Sequence, residues 1–451
     1  MMKKMKYHSY TWVFFVVAFT KALTLTAQER PQETLSLEQA IALALENNQS
    51  IQIEQKRVAI AEEGRSKGNA GLLPTINLIG EANYTNNETD LTIRTFQPQP
   101  PVVNFDESGV ASTTISGVVQ ADYTVFAGFS GKYRYKLLES QNNVARYQQQ
   151  ALINTTVLEL STLFLEIAKL QRRQELLEET IKISSDRLKR VSDQKQFGQA
   201  TGLDVLNIES NLNRDKTSLD QVLLAKNNLK RNLNFLLGYE PERRYWVNAS
   251  YTLSQLEDTE TIKAAILANN PNLKLVKEGI SMADNQIGLA KSRTLPKLDV
   301  FANYGYFNQE NDIQQLAEIT NIGYAVGGRL TLNIFNGGQT QTAIKTARLN
   351  KETSELQESQ LADRLVTEAV TEVNRIDILQ GQLVREKQNL KTFEETYART
   401  EERFKNGTVT NLDLRDAQTA LLNAQIVIAE LQADLMQSYI TIDALSGVIL
   451  K

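Results

Sequence analysis

The carboxylates best placed to act sit in two short motifs, Thr201-Gly-Leu-Asp204 and Thr410-Asn-Leu-Asp413, 209 residues apart, with Asp416 one turn beyond the second. Thr followed three residues later by Asp, at the start of a helical stretch, is a capping pattern. The hydroxyl accepts from the N3 amide, the carboxylate bonds back, and the helix dipole favours its charge. Capping accounts for Asp204 and Asp413 but asks nothing of Asp416. Multiplied by symmetry around an opening, the same carboxylates would form acidic rings that attract cations. Neither role breaks a covalent bond. The chain has no Cys, and its one His is His8. From residue 28 onward there is thus no thiol or imidazole to serve as nucleophile, base or transition-metal ligand. The acids are spread along helical stretches without a clustered site, which argues against a carboxylate enzyme. No catalytic residue, metal or cofactor is expected.

Residues 1–27 read as a secretory signal: Lys3, Lys4 and Lys6, then the apolar run 12–19, then Leu25-Thr-Ala27 before Gln28. The run is shorter than the roughly 20 residues a spanning helix needs. Removing 1–27 takes four Lys and no acid, leaving 45 basic against 53 acidic side chains and a net charge of −8. Nucleic-acid binding, which wants a basic face, is not expected. No later segment reads as a spanning helix, so any passage through a membrane falls to β-strands closed into a barrel.

The chain is internally duplicated. Phe126-Ala-Gly returns as Phe335-Asn-Gly, Gly198 as Gly407, and Leu236-Leu-Gly238 as Leu445-Ser-Gly447, all at an offset of 209. Asn47-Asn48 and Leu73-Pro74 return as Asn269-Asn270 and Leu295-Pro296 at 222. The first copy therefore has 13 extra residues between Pro74 and Phe126, expected as a longer loop. Repeats of this kind mean a fold of two similar halves. The expected division is a first repeat over 28–238, a linker over 239–259 and a second repeat over 260–451. The first repeat holds a hairpin at 74–127, a long helix at 130–196 and a helix at 203–237. The second holds a hairpin at 296–335, a long helix at 339–405 and a helix at 412–446.

Each repeat opens with a helix pair broken at the Asn pair. Pro74 and Pro296 then end the helices and begin period-2 segments of about ten residues. Ile76, Leu78, Gly80, Ala82 and Tyr84 share one face; Thr75, Asn77, Glu81 and Asn83 share the other. Ile115, Val119, Tyr123 and Val125 oppose Ser116, Gln120, Asp122 and Thr124 in the return strand. Two sheets fit this pattern: a soluble one with its apolar face on a core, and a transmembrane barrel with that face in lipid. Four strands cannot close such a barrel, whose smallest examples have about eight, so a barrel needs strands from further copies. The Pro-free stretches that follow carry heptads: Ala369, Ile376, Leu383, Leu390, Tyr397 and Phe404 in one, Leu163, Leu170 and Leu177 in the other. A 67-residue helix is roughly 100 Å long and must project as a rod or line a tube.

This order of elements, given twice, resembles the TolC-like outer-membrane efflux and secretion channel family over essentially all of the chain after residue 27. The resemblance implies a mainly α fold with a small β part: a long antiparallel coiled-coil α-barrel plus four transmembrane strands per chain. It implies a homotrimer with a closed 12-strand barrel in outer-membrane lipid and a 12-helix periplasmic tube, and an equatorial belt from 28–36, 238–262 and 447–451. Its expected partners are a periplasmic adaptor protein and an inner-membrane pump, of tripartite efflux or type I secretion type. The resemblance makes Asp204 a gate aspartate and Asp413 and Asp416 an acidic ring. The turns around Gly198, Thr201, Gly407 and Thr410 become adaptor-docking tips, and Pro74 and Pro296 the helix-to-strand switches. The aromatic and arginine partners of the family's gate fall on Phe404 and Val409, which cannot make those polar links, so closure is expected to depend more on packing. The competing reading is a structural periplasmic coiled coil or adaptor without a pore.

Overall fold

A computed structural model of the chain describes residues 34–94, 102–248, 256–312 and 317–447. The expected signal 1–27 lies outside the described residues, as do 28–33, 249–255 and 448–451 of the expected belt. The first half runs β1 (Thr34–Ser36), α1 (Leu37–Asn47), α2 (Gln49–Gly64), β2 (Thr75–Arg94), β3 (Val102–Ala127), α3 (Ser130–Gln196), α4 (Gly202–Leu237) and β4 (Trp246–Asn248). The second runs α5 (Thr259–Asn269), α6 (Pro271–Ser292), β5 (Lys297–Asn311), β6 (Glu318–Thr331), α7 (Gln339–Lys405) and α8 (Asn411–Leu445).

The repeated Asn pairs and Gly residues meet in space. Asn48 ends α1 and caps α2, its side-chain oxygen accepting from the amides of Ser50 and Ile51. Its amide group donates to the Leu236 carbonyl at 3.0 Å, at the end of α4. Asn270 repeats every bond, ending at the Leu445 carbonyl at 2.9 Å. The chain then turns at Gly238 and Gly447, both at φ 68°, directly against Asn47 and Asn269. At Gly447 a Cβ would lie 2.9 Å from the Asn269 carbonyl, so close approach as well as the left-handed turn requires Gly there.

Two apolar cores surround these hubs. Leu160, Phe164 and Ile167 of α3 pack with α1, with Leu233 and Leu237 of α4, and with Tyr245 and Val247. Leu365, Ala369 and Ile376 of α7 pack with Ile262 and Ile266 of α5 and with Tyr439 and Ile442 of α8. β1 pairs in parallel with β4, and Gln171 of α3 clamps the latter by donating to and accepting from Val247. One stretch of α3 is, contrary to the sequence expectation, long and apolar enough to cross a membrane by composition. Its apolar side chains are needed for another purpose, because this part of the helix fills the first core.

The buried seams differ in part from the heptads. Ile376, Ala369 and Leu365 are buried, but Leu383, Leu390 and Tyr397 are only half-buried, as are Leu163 and Leu170. In α3 the seam below the core carries Gln171, Thr180, Ser184 and Arg187 alongside Leu177 and Val191. It keeps the spacing of a coiled coil with polar knobs.

The sheet has the order β2-β3-β5-β6, antiparallel throughout, with β2 and β6 as free edges. The strands have 20, 26, 15 and 14 residues, longer than the roughly ten expected. The 13-residue excess of the first copy is paired strand rather than loop: Thr85 pairs with Ser112, which pairs with Asn311 at the end of β5, while β2 and β3 run on to Arg94 and Val102. Side chains alternate in rows across the strands. Leu78, Val119, Tyr304 and Tyr324 form one row, and Asn77, Gln120 and Asn303 the next, on the other face. The polar face also carries Val118, packed over Gly305, and Phe301, packed over Gly327.

Below the sheet, α3 packs on α2 and α6, and α6 on α7; farther down α3 packs on α4 and α8, and α8 on α7. Away from the two cores, where α1, α5 and β4 lie against the long helices, the chain is thus a wall one element thick. Its margins are β2, α2 and α4 on one side and β6 and α7 on the other.

Candidate functional site at the helical tips

The two tips are near copies. At each, the chain leaves the long helix through a Gly at φ 72°, Gly198 or Gly407, with open space around the missing Cβ. The Gln199 amide donates back to the Gln194 carbonyl at 2.9 Å, and the Thr408 amide to the Arg403 carbonyl at 2.9 Å, closing the helix ends in Schellman fashion. Thr201 and Thr410 then open complete capping boxes. The Asp204 carboxylate accepts from the Thr201 amide at 2.9 Å and hydroxyl at 2.6 Å; Asp413 accepts from Thr410 at 2.8 and 2.6 Å.

These hydroxyl bonds, then the backbone bonds, hold both carboxyls below the ordinary aspartate range. A depressed pKa contributes stability above the ordinary value, and that stability is lost as pH falls through the depressed one. The caps are therefore intact at neutral pH and weaken only once the pH has fallen below the ordinary aspartate range. Thr201→Ala should weaken its tip by about 1 kcal/mol. Amide exchange should quicken over the first turn of α4 and stay unchanged at the start of α8, the internal control. Asp416 is exposed, beside Asp413 on α8, and makes no hydrogen bond or ion pair among the described residues. Leu203 and Leu412, each 67% exposed, stand at equivalent places just inside the two caps.

A buried polar layer lies on the sheet side of the tips. Arg415 of α8 donates twice to the Asp215 carboxylate of α4, at 2.7 and 2.6 Å, with the two side chains only 14% and 7% exposed. Arg187 of α3, buried beside them, donates to Gln418 of α8 at 2.9 Å. Burial pushes the Arg187 pKa down and the neighbouring Arg415 adds to this, while Tyr397 and Glu401 of α7 oppose it. Phe404 meets this layer from α7, sharing a cavity of about 160 Å³ with Arg187, Arg190 and Leu414. Charge as well as packing thus ties the four helices. The sequence reading, which put more weight on packing, gave no role to Asp215, Arg415 or Arg187. Their signal was available: Arg187 falls on the seam row of Thr180, Ser184 and Val191, and Asp215 on that of Ile208, Leu212 and Val222.

Pro74 and Pro296 stand immediately before β2 and β5, where their fixed φ and missing N–H suit the change from helix to strand.

Comparison with known proteins places this geometry. The family model described as "Outer membrane efflux protein" matches residues 40–239 and 264–448. The alkaline protease secretion protein AprF of Pseudomonas aeruginosa is 24% identical over 436 residues, covering 90% of this chain and 83% of that one. The pyoverdine export outer membrane protein OpmQ of the same organism is 24% identical over 419 residues, covering 89% and 83%. The crystal structure of the outer membrane protein VceC of Vibrio cholerae superposes with a TM-score of 0.72 at 18% identity, covering 92% of this chain and 96% of that one. The two helical tips, the duplicated hairpins and the one-layer wall are the features of a TolC-like fold, and the chain belongs to the outer membrane efflux protein family.

Proposed function

We propose that this outer-membrane efflux protein works as a homotrimeric exit duct. In this reading each chain gives four strands to a closed 12-strand barrel and its helices to a 12-helix periplasmic tube. The observation that carries it is the pair of unsatisfied margins. β2 and β6 both end the sheet with free backbone groups and exposed apolar side chains: Leu78 and Ile76 on one, Tyr324 and Val326 on the other. Open edges of this length aggregate unless paired, and closing a ring pairs them. The margin helices agree. Ile53 and Ile60 on α2, and Leu349 and Leu356 on α7, are exposed at seven-residue spacing, as coiled-coil partners from adjacent copies would require.

The duct performs no chemistry, and the driving energy comes from an inner-membrane pump of tripartite efflux or type I secretion type. The outward traffic of protease and pyoverdine in the names of the relatives is consistent with a passive conduit whose cargo is chosen elsewhere. The tips at Gly198, Thr201, Gly407 and Thr410, with Leu203 and Leu412 exposed on them, dock a periplasmic adaptor. Asp204, Asp413 and Asp416 supply negative charge at the inner mouth, threefold repeated.

Purified protein in a planar bilayer tests this. Small, cation-selective openings are expected, and Asp413→Asn with Asp416→Asn should shift the reversal potential toward zero selectivity. A folded trimer that never conducts would favour the pore-free coiled-coil reading, and an unchanged reversal potential would remove the acidic ring.

A further inference from the structure

The segments that lead into and out of the sheet carry one sign of charge. Residues 64–74, 128–138, 286–297 and 331–348 hold ten Lys or Arg and no Asp or Glu, in a chain where acids outnumber bases 53 to 49. All four meet at the helix-side foot of the sheet, where β2 and β5 begin, β3 and β6 end, and α3 and α7 start. Of the ten cations only Lys297 makes an ion pair among the described residues, with Asp299 at 3.0 Å. A cavity of about 660 Å³ opens at this foot. Lys132, Arg134, Arg293 and Lys297 stand on its wall with Leu72 and Phe129, and no carboxylate lines it. The Arg134 guanidinium packs against the turn at Gly71, 3.3 Å from where a Cβ would stand. Next to these cations, apolar side chains at the strand feet face outward: Leu295, Leu332, Ile334 and Phe335 are exposed, the last two at 92% and 84%.

We propose that this foot is a collar for anionic phospholipid headgroups of the periplasmic leaflet, with the phosphodiester held by Lys and Arg and the acyl chains lying along the exposed feet. The proposal rests on the reading that the sheet spans the outer membrane. Nine of the ten cations have no ion-pair partner among the described residues and repel one another in one belt; a negatively charged leaflet offsets that repulsion. Apolar and basic residues side by side at a membrane boundary let the long stems lie in the apolar zone while the charged heads reach the phosphates. Arg adds the fork geometry that phosphate oxygens accept. The occupant is a lipid surface rather than a free anion because Phe335, Ile334 and Leu295 have no use in binding inorganic phosphate.

The test uses the purified full-length protein inserted into phosphatidylcholine vesicles with and without phosphatidylglycerol. Native mass spectrometry then counts the lipids retained. The wild type should retain phosphatidylglycerol over phosphatidylcholine by about tenfold, less at high salt, because surface charges are screened. The Lys132→Gln, Arg134→Gln, Arg293→Gln variant should insert equally well and lose most of that preference. Inorganic phosphate should not displace the lipid; displacement would put a free anion in the collar and overturn the proposal. Absence of preference in the inserted wild type overturns it without any variant and leaves the membrane-spanning reading standing. Failure of the wild type to insert into either vesicle overturns both.

Discussion

Asp215→Ala is expected to lower the unfolding free energy by about 3–5 kcal/mol, because it leaves Arg415 charged, buried and unpaired between two helices. The mirror change, Arg415→Met, should cost a similar amount by stranding the carboxylate. The double variant Asp215→Leu with Arg415→Met removes both charges and keeps the volume, and should recover most of the loss, since burying a pair gains little over apolar packing. Denaturant unfolding of the detergent-solubilised protein measures all three. If the double variant is as unstable as the singles, shape rather than charge holds α4 to α8. The same pair joins the two repeats just inside the tips, 2.6–2.7 Å across. In a duct, its loss should therefore also raise single-channel conductance, by letting the tip hairpins separate.

Val119→Arg should abolish insertion into the outer membrane, while Gln120→Arg should leave it nearly unchanged. Val119 lies in the row of Leu78, Tyr304 and Tyr324, whose side chains are exposed on the apolar face. An Arg at the lipid midplane of a barrel costs about 2–4 kcal/mol. Gln120 lies among Asn77 and Asn303 and bonds to Asp122 at 2.8 Å, an environment already suited to a polar group. The shift of the proposed folded trimer on unheated gels reads the outcome. Equal effects of the two substitutions would mean that neither face meets lipid.

Much of the element plan was legible because its punctuation is chemical. Pro74 and Pro296 precede strands, Gly198 and Gly407 close helices, and Thr201 and Thr410 open them; each requirement is local and leaves a residue type behind. The length of β2 and β3 was not legible, because the polar run Asn86-Asn-Glu-Thr-Asp90 looks like a loop in sequence and cuts off the alternation of Leu91, Thr92 and Ile93 beyond it. The Asn48 and Asn270 hubs showed in sequence only as interruptions. Their acceptors, Leu236 and Leu445, lie 188 and 175 residues away, and a bond to a backbone carbonyl leaves no mark on the partner's side chain. At the tips the caps could be read residue by residue, whereas the Asp215–Arg415 tie left only the seam row that Asp215 shares with Ile208, Leu212 and Val222. A charge within a mostly polar helix looks like solvated surface until the packing shows that it faces a neighbour.

The unequal hairpins bear on what the outside world meets. From Thr85, level with the end of β5, β2 continues nine residues to Arg94, roughly 30 Å of strand. In the proposed threefold ring the tall and short hairpins would alternate, and the outer rim would be a crown of three crests separated by three low notches. A phage or an antibody approaching the cell would touch the crests first, while cargo leaving sideways would pass through the notches. The rim of that ring would have true threefold symmetry, although the duplicated wall beneath it would approach sixfold.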